Sequence, residues 1–131
     1  MKYMLDTNSV SFFIRNNQII INKVNKIHMS QLCISSVTLG ELNYDLAKRG
    51  NLKLQAIIQS FINRVDVLPW DENVADCYGK LKAELMENGK VLAPLDMMIA
   101  AHAFAVNATL ITNDKAFSQI SSLQLDDWSK E

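Results

Sequence analysis

Four acidic residues stand at the ends of four apolar segments of this chain. Asp6 closes Tyr3-Met4-Leu5, and Glu41 lies one turn into the segment that follows Cys33-Ile34-Ser35-Ser36. Asp96 opens Met97-Met98-Ile99-Ala100-Ala101, and Asp114 follows Thr109-Leu110-Ile111-Thr112-Asn113. Carboxylates brought close together cannot all stay ionised without a compensating cation. An all-oxygen site suits Mg²⁺ or Mn²⁺, and the usual work of such ions in an α/β crevice is phosphate chemistry.

The elements that must position these acids follow from the hydrophobic pattern. Residues 2–6, 32–35, 65–68 and 109–112 read as short strands, with a last one around Leu123-Gln124-Leu125 ended by Asp126 and Asp127. Between them, residues 10–14, 16–29, 52–63, 72–88 and 94–106 read as helices, together with a segment capped by Ser36 or Thr38 that runs to about Lys48. Asp6-Thr7-Asn8-Ser9 supplies capping chemistry for the first helix, Gly89 stops the long one, and Pro94 opens the next. Strands alternating with helices predict a parallel sheet covered on both faces. In such a sheet the carboxyl ends of the strands share one edge, where ligands bind. Side chains far apart in sequence can meet there.

At 131 residues the chain is expected to form one domain, residues 1–131, long enough to bury a core without staples. No apolar run approaches the roughly 18 residues of a membrane span. Asp6 interrupts the N-terminus before any signal-like apolar stretch develops, so a cytoplasmic location is expected. Cys33 and Cys77 match no zinc or disulfide spacing and read as reduced packing residues. The net charge of −1 argues against a broad nucleic-acid-binding surface. The first seventy residues nevertheless carry a net +4 and the remainder −5, which leaves room for a basic rim beside an acidic pocket.

Each acid has an ordinary structural explanation. Asp6 can be a helix N-cap. Thr38-x-x-Glu41 matches a capping box. Asp96 sits in a first helical turn, where negative charge suits the dipole, and Asp114 sits in a turn or cap. Their conjunction at the ends of packed elements is harder to explain that way. An acid at the mouth of a helix as apolar as the one after Asp96 is costly without a partner or a metal.

Taken in order, Met4-Leu5-Asp6-Thr7-Asn8, Ser36-x-x-x-x-Glu41-Leu42, Asp96-x-x-Ile99-Ala100-Ala101-x-Ala103 and Leu110-x-Thr112-Asn113-Asp114-x-x-Phe117 resemble the four motifs of PIN-domain ribonucleases. The ending Leu125-Asp126-Asp127-Trp128 and the length are similar to those of VapC toxins of bacterial type II toxin–antitoxin systems. The resemblance implies a PIN-like three-layer α/β sandwich with a central parallel sheet of about five strands. It also implies a Mg²⁺- or Mn²⁺-dependent endoribonuclease, a phosphodiester hydrolase. Asp6, Glu41, Asp96 and Asp114 match the catalytic quartet. By that likeness Asp6, Asp96 and Asp114 hold metal and Glu41 completes the pocket. Thr112 matches a hydroxyl that steadies the site, and Asn8 a polar residue beside Asp6. The family pattern often adds an acid where this chain has Ala116, so a second metal is expected to be weakly held or absent.

The resemblance further implies in-line attack of water on phosphorus, leaving a 5′-phosphate and a 3′-hydroxyl without use of the 2′-OH. The substrate would be a structured RNA, tRNA foremost. A VapB-like antitoxin would block the acidic pocket and carry the complex to operator DNA, within a homodimer and a higher toxin–antitoxin assembly. The apolar faces of residues 10–14 and 52–62 are candidates for core packing or that interface.

His102, six residues after Asp96, points away from it on a helix and reads as a packing residue. His28 sits at a helix end. Phe12, Phe13, Tyr44 and Trp70 could stack bases, but their apolar neighbours favour packing. Two other functions compete. A phosphatase with nucleophilic Asp6 usually needs Asp-x-Asp, and position 8 is Asn8. A catalytically silent module that only binds protein or RNA is disfavoured by the presence of all four acids.

Overall fold

The computed structural model describes residues 1–130; Glu131, the last residue of the expected domain, lies outside the described residues. The strands are β1 (Lys2–Leu5), β2 (Leu32–Ser35), β3 (Asp66–Leu68), β4 (Ala108–Ile111) and β5 (Leu125–Asp126). They pair in parallel in the order β3-β2-β1-β4-β5. The helices are α1 (Thr7–Ile14), α2 (Gln18–Lys26), α3 (Ser36–Arg49), α4 (Leu52–Ile62), α5 (Glu72–Glu87) and α6 (Pro94–Ala105). This is the expected three-layer sandwich.

Successive strand residues face opposite sides of a sheet. Met4, Cys33 and Leu110 accordingly join Leu81, Leu85 and Ile99 in one core beneath α5 and α6. Leu5, Ile34 and Ile111 join Val10, Ile58 and Phe61 in the other, beneath α1, α2 and α4. With both faces covered, β2 and β4 are buried at every position, which is why they read as continuous apolar runs. The faces of residues 10–14 and 52–62 both join this second core, where the rings of Phe13 and Phe61 lie 5.1 Å apart.

From β1 the order runs outward through β2 to β3 on one side and through β4 to β5 on the other. The sheet therefore reverses direction between β1 and β4, and a crevice opens outside their carboxyl ends. Asp6 follows β1, and Thr112 follows β4.

Three expectations are corrected. Ser35, not Ser36 or Thr38, caps α3, with its hydroxyl accepting from the Val37 N–H at 3.1 Å. Ser35 ends β2 fully buried, where its hydroxyl must find a partner at once. The second helix is shorter than residues 16–29. Asn17 starts it, Ile27 turns extended, and His28 caps a separate 3₁₀ turn, Met29–Gln31. The last strand includes Asp126 rather than stopping before it, because Ile111 pairs with Asp126.

Candidate active site

Asp6 is the N-cap of α1, with Oδ1 accepting from the Ser9 N–H at 2.8 Å. It is only 4% exposed, and burial foremost raises its pKa above the usual carboxylate value. Hydrogen bonds from Thr112 and Ser9 pull the other way, and the charge of Asp114 adds to the rise. Thr112 reaches both neighbours, since its hydroxyl also accepts from the Asp114 N–H at 3.0 Å. Asp114 caps the 3₁₀ turn Lys115–Gln119, with Oδ1 accepting from Ala116 N–H at 2.9 Å. The β4 end thus holds two of the acids through one hydroxyl.

Glu41 comes from α3 but does not close the capping box its spacing suggests. Thr38 is already inside the helix and fully buried. Glu41 Oε1 instead accepts from the Thr7 hydroxyl at 2.6 Å, which ties it to the residue after Asp6. Asp96 lies in the first turn of α6, behind Pro94. Everything acting on it raises its pKa: burial first, then the charges of Asp114, Asp6 and Glu41 in that order. The fold thus brings the four predicted acids within electrostatic reach of one another.

Among the described residues, no three His, Cys, Asp or Glu side chains close into a ready-made metal cage. A groove of about 610 Å³ opens beside Glu41, lined by Thr7, Val37, Tyr44, Leu95 and Met98 among others. A more polar cavity of about 320 Å³ reaches Thr112, Asp114, Asp126 and Asp127 from the other side. Each groove touches one of the four acids, Glu41 in the first and Asp114 in the second.

Asn8 is exposed, and the polar contacts to Asp6 come from Ser9 and Thr112. Thr7 and Ser9 were missed as supporting residues. The signal for Thr7 was its place directly after Asp6. The signal for Ser9 was its place three residues after an N-cap, whose N–H points back at the capping oxygen. His102 stays outside the site, fully buried, as does His28 on the surface. Both cysteines are free, and burial pushes the Cys33 thiol up to about 11. Trp70, Phe12 and Phe13 are partly buried in packing, while Tyr44 remains exposed at the groove.

A PIN domain model matches residues 3–123. The tRNA(fMet)-specific endonuclease VapC of Shigella flexneri is 37% identical, over 98% of this chain and 99% of that protein. The chain belongs to the VapC family of PIN-domain ribonucleases. Solved structures give the same likeness to this VapC-family chain. The VapBC2 complex of Rickettsia felis bound to a DNA fragment from its promoter has a chain that superposes with a TM-score of 0.91 and 32% identity, covering 98% of this chain and 99% of that one. DNA-bound VapBC of Salmonella typhimurium gives 0.89 and 36%, covering 98% of each. Among the described residues of this VapC-family chain, no helix is long and apolar enough to cross a membrane.

Proposed function

We propose that this chain is a divalent-metal-dependent endoribonuclease, the toxin of a type II toxin–antitoxin module, and that it cuts structured RNA, tRNA foremost. The observation that carries this reading is Asp96. Burial and three neighbouring carboxylates all oppose its charge, and a cation among them removes that opposition.

The residues fit Mg²⁺ or Mn²⁺. The donors are all hard oxygens, and Mg²⁺ keeps several waters and binds through one or two carboxylates plus substrate phosphate, so no closed cage is required. Asp6, Asp96 and Asp114 would hold the ion, with Glu41 completing the pocket, and Ala116 in place of a further acid favours a single ion. A bound divalent ion supplies an activated water at neutral pH and charge stabilisation at phosphorus. The chain's own residues supply the geometry. Ser9 and Thr112 hold Asp6 against rotation. Thr112 also sets the backbone of Asp114, and Thr7 fixes Glu41. Rigid placement of this kind lowers the cost of reaching an in-line geometry.

The relatives support the rest of the reading. One is named for tRNA(fMet), and two of the solved complexes pair VapC with VapB on DNA. A VapB-like antitoxin is the proposed partner, operator DNA being reached through it, and the toxin is read as a homodimer within that assembly. Residues 1–131 are read as one PIN domain working in the cytoplasm, where its RNA is. The deciding experiment is incubation of total RNA with purified protein in Mg²⁺, in Mn²⁺ and in EDTA, beside Asp96→Asn. Discrete fragments bearing 5′-phosphates, dependent on metal and absent in the variant, are expected. Intact RNA in every lane, after removal of any bound antitoxin, would move the silent binding module into first place.

A further inference from the structure

His102 is a poor choice for packing alone. It is fully buried in the apolar layer between α6 and the sheet, and its Nε2 is the one buried side-chain polar atom among the described residues without a hydrogen-bond partner. An imidazole half-satisfied in a core is costly. Its other nitrogen, Nδ1, shares a 2.7 Å hydrogen bond with Ser35 Oγ. Ser35 is itself fully buried and caps α3. The bond therefore joins α6 to the N-terminus of α3, sixty-seven positions away in sequence.

A second link reaches the same junction from the loop after β3. The Trp70 N–H donates to Ser36 Oγ at 3.0 Å, and the Trp70 indole Nε1–H donates to the Met98 carbonyl at 3.0 Å. Met98 lies two residues after Asp96, and Ser36 five residues before Glu41. The buried Ser35 hydroxyl directly, and the half-buried Ser36 hydroxyl through Trp70, thus tie one helix start to two successive turns of α6.

We propose that His102 is a positioning residue: with Ser35, and with Trp70 from the other side, it clamps α6 to the start of α3 and so sets the spacing of Asp96 from Glu41. The inference rests on the reading that these acids act together. His102 touches neither acid and acts only through the helix it anchors. Apolar packing lets two helices slide by fractions of a turn, whereas paired hydrogen bonds fix one register.

The test uses His102→Leu, which keeps bulk and loses the bond, and His102→Asn, whose amide can donate or accept where Nδ1 stood. Mn²⁺ binding to metal-stripped protein is read by electron paramagnetic resonance, and RNA cleavage by kcat and KM separately. His102→Leu is expected to weaken Mn²⁺ binding and lower kcat by about tenfold, the usual scale for outer partners of a metal site, with KM unchanged. His102→Asn recovers most of both. Trp70→Phe, which keeps the ring and loses the indole donor, moves in the same direction as His102→Leu and serves if that variant does not fold. Wild-type Mn²⁺ affinity and kcat in folded His102→Leu or Trp70→Phe, or equal damage in His102→Leu and His102→Asn, would overturn the clamp.

Should the wild-type protein neither bind Mn²⁺ nor cut RNA, the reading of the acids fails, and amide hydrogen exchange judges the clamp alone. His102→Leu must then speed exchange in the first turn of α3, and Ser35→Ala in α6. Unchanged exchange in both overturns it.

Discussion

The Thr7 hydroxyl donates to Glu41 Oε1 at 2.6 Å, joining the start of α1 to the middle of α3 across the mouth of the crevice. Thr7 follows the buried Asp6 directly, so this single bond fixes the relation between an acid from the β1 end and an acid from a helix. Thr7→Val keeps the shape and removes the donor. A hydrogen bond to a charged group contributes about 1.5–3 kcal/mol. The expected result is a fall in kcat of roughly tenfold or more by that conversion, in a protein whose circular dichroism is unchanged. Full activity in Thr7→Val would mean that Glu41 needs no fixing.

Asp96→Asn should separate stability from function. Its folded pKa is raised, so the ionised form is disfavoured in the metal-free fold. A neutral amide is therefore expected to raise the melting temperature of EDTA-treated protein while lowering cleavage by about a hundredfold. Added Mg²⁺ should raise the melting temperature of the wild type at neutral pH and leave that of the variant nearly unmoved. A variant less stable than metal-free wild type would show that Asp96 makes a favourable contact the geometry does not contain.

The buried carboxyl of Asp6 carries a pH signature. A raised folded pKa means that the stability it contributes is fully present below the unfolded value of 3.8 and is lost as pH rises through the folded value. Asp96 has the same sign. Metal-free protein should therefore lose stability as pH rises above 3.8 through these two groups, and a divalent ion should flatten the curve. Denaturant titrations at several pH values, with EDTA and with Mg²⁺, read this directly.

His102 has the opposite sign. Burial lowers its pKa below 6.5 in the fold, with Asp71 opposing the shift. The unfolded chain then takes up the proton first, so stability present above pH 6.5 is lost as pH falls towards the folded value. His102→Asn should remove this part of the slope and leave the carboxylate part untouched. An identical pH profile in variant and wild type would mean that the ring is solvated in the native state.

A cap remote from the site provides a control. Asn17 Oδ1 accepts from the Ile19 and Ile20 N–H groups at 3.1 and 3.3 Å at the start of α2. Asn17→Ala is expected to cost about 1 kcal/mol in unfolding free energy with kcat and KM preserved. A loss of activity larger than the loss of stability would connect α2 to the chemistry.

What could be read from the residues alone divides along physical lines. Asp6, Asp96 and Asp114 were legible because each marks the boundary of an element, where apolar periodicity stops and capping chemistry begins. Glu41 was legible as a candidate that would join the other acids, but not in its bonding. Thr38-x-x-Glu41 has the spacing of a capping box, yet Thr38 is already helical and Glu41 turns to Thr7, a contact between elements that local spacing does not encode. Ser35, Ser36 and Thr38 offer three hydroxyls at one helix start, and burial of Ser35 at the strand end decides among them. The same limit hid the role of Ser35 as partner of His102. β5 is only two residues long and is held by backbone pairing to β4, so its side chains carry too little pattern to fix its bounds.

The strand order has a consequence for the chain during its own synthesis. Asp6 is made with β1, yet its neighbours Thr112 and Asp114 arrive with β4, which follows much later in the chain and pairs beside β1. Pairings of such long range must meet the cost of loop closure before they return anything. An unfinished polypeptide that stops short of β4 has Asp6 and Glu41 but neither the hydroxyl nor the acid that complete the cluster. A nascent chain therefore carries no completed acidic cluster until β4 has emerged and paired beside β1, so any premature stop before that strand yields a molecule in which Asp6 lacks these partners.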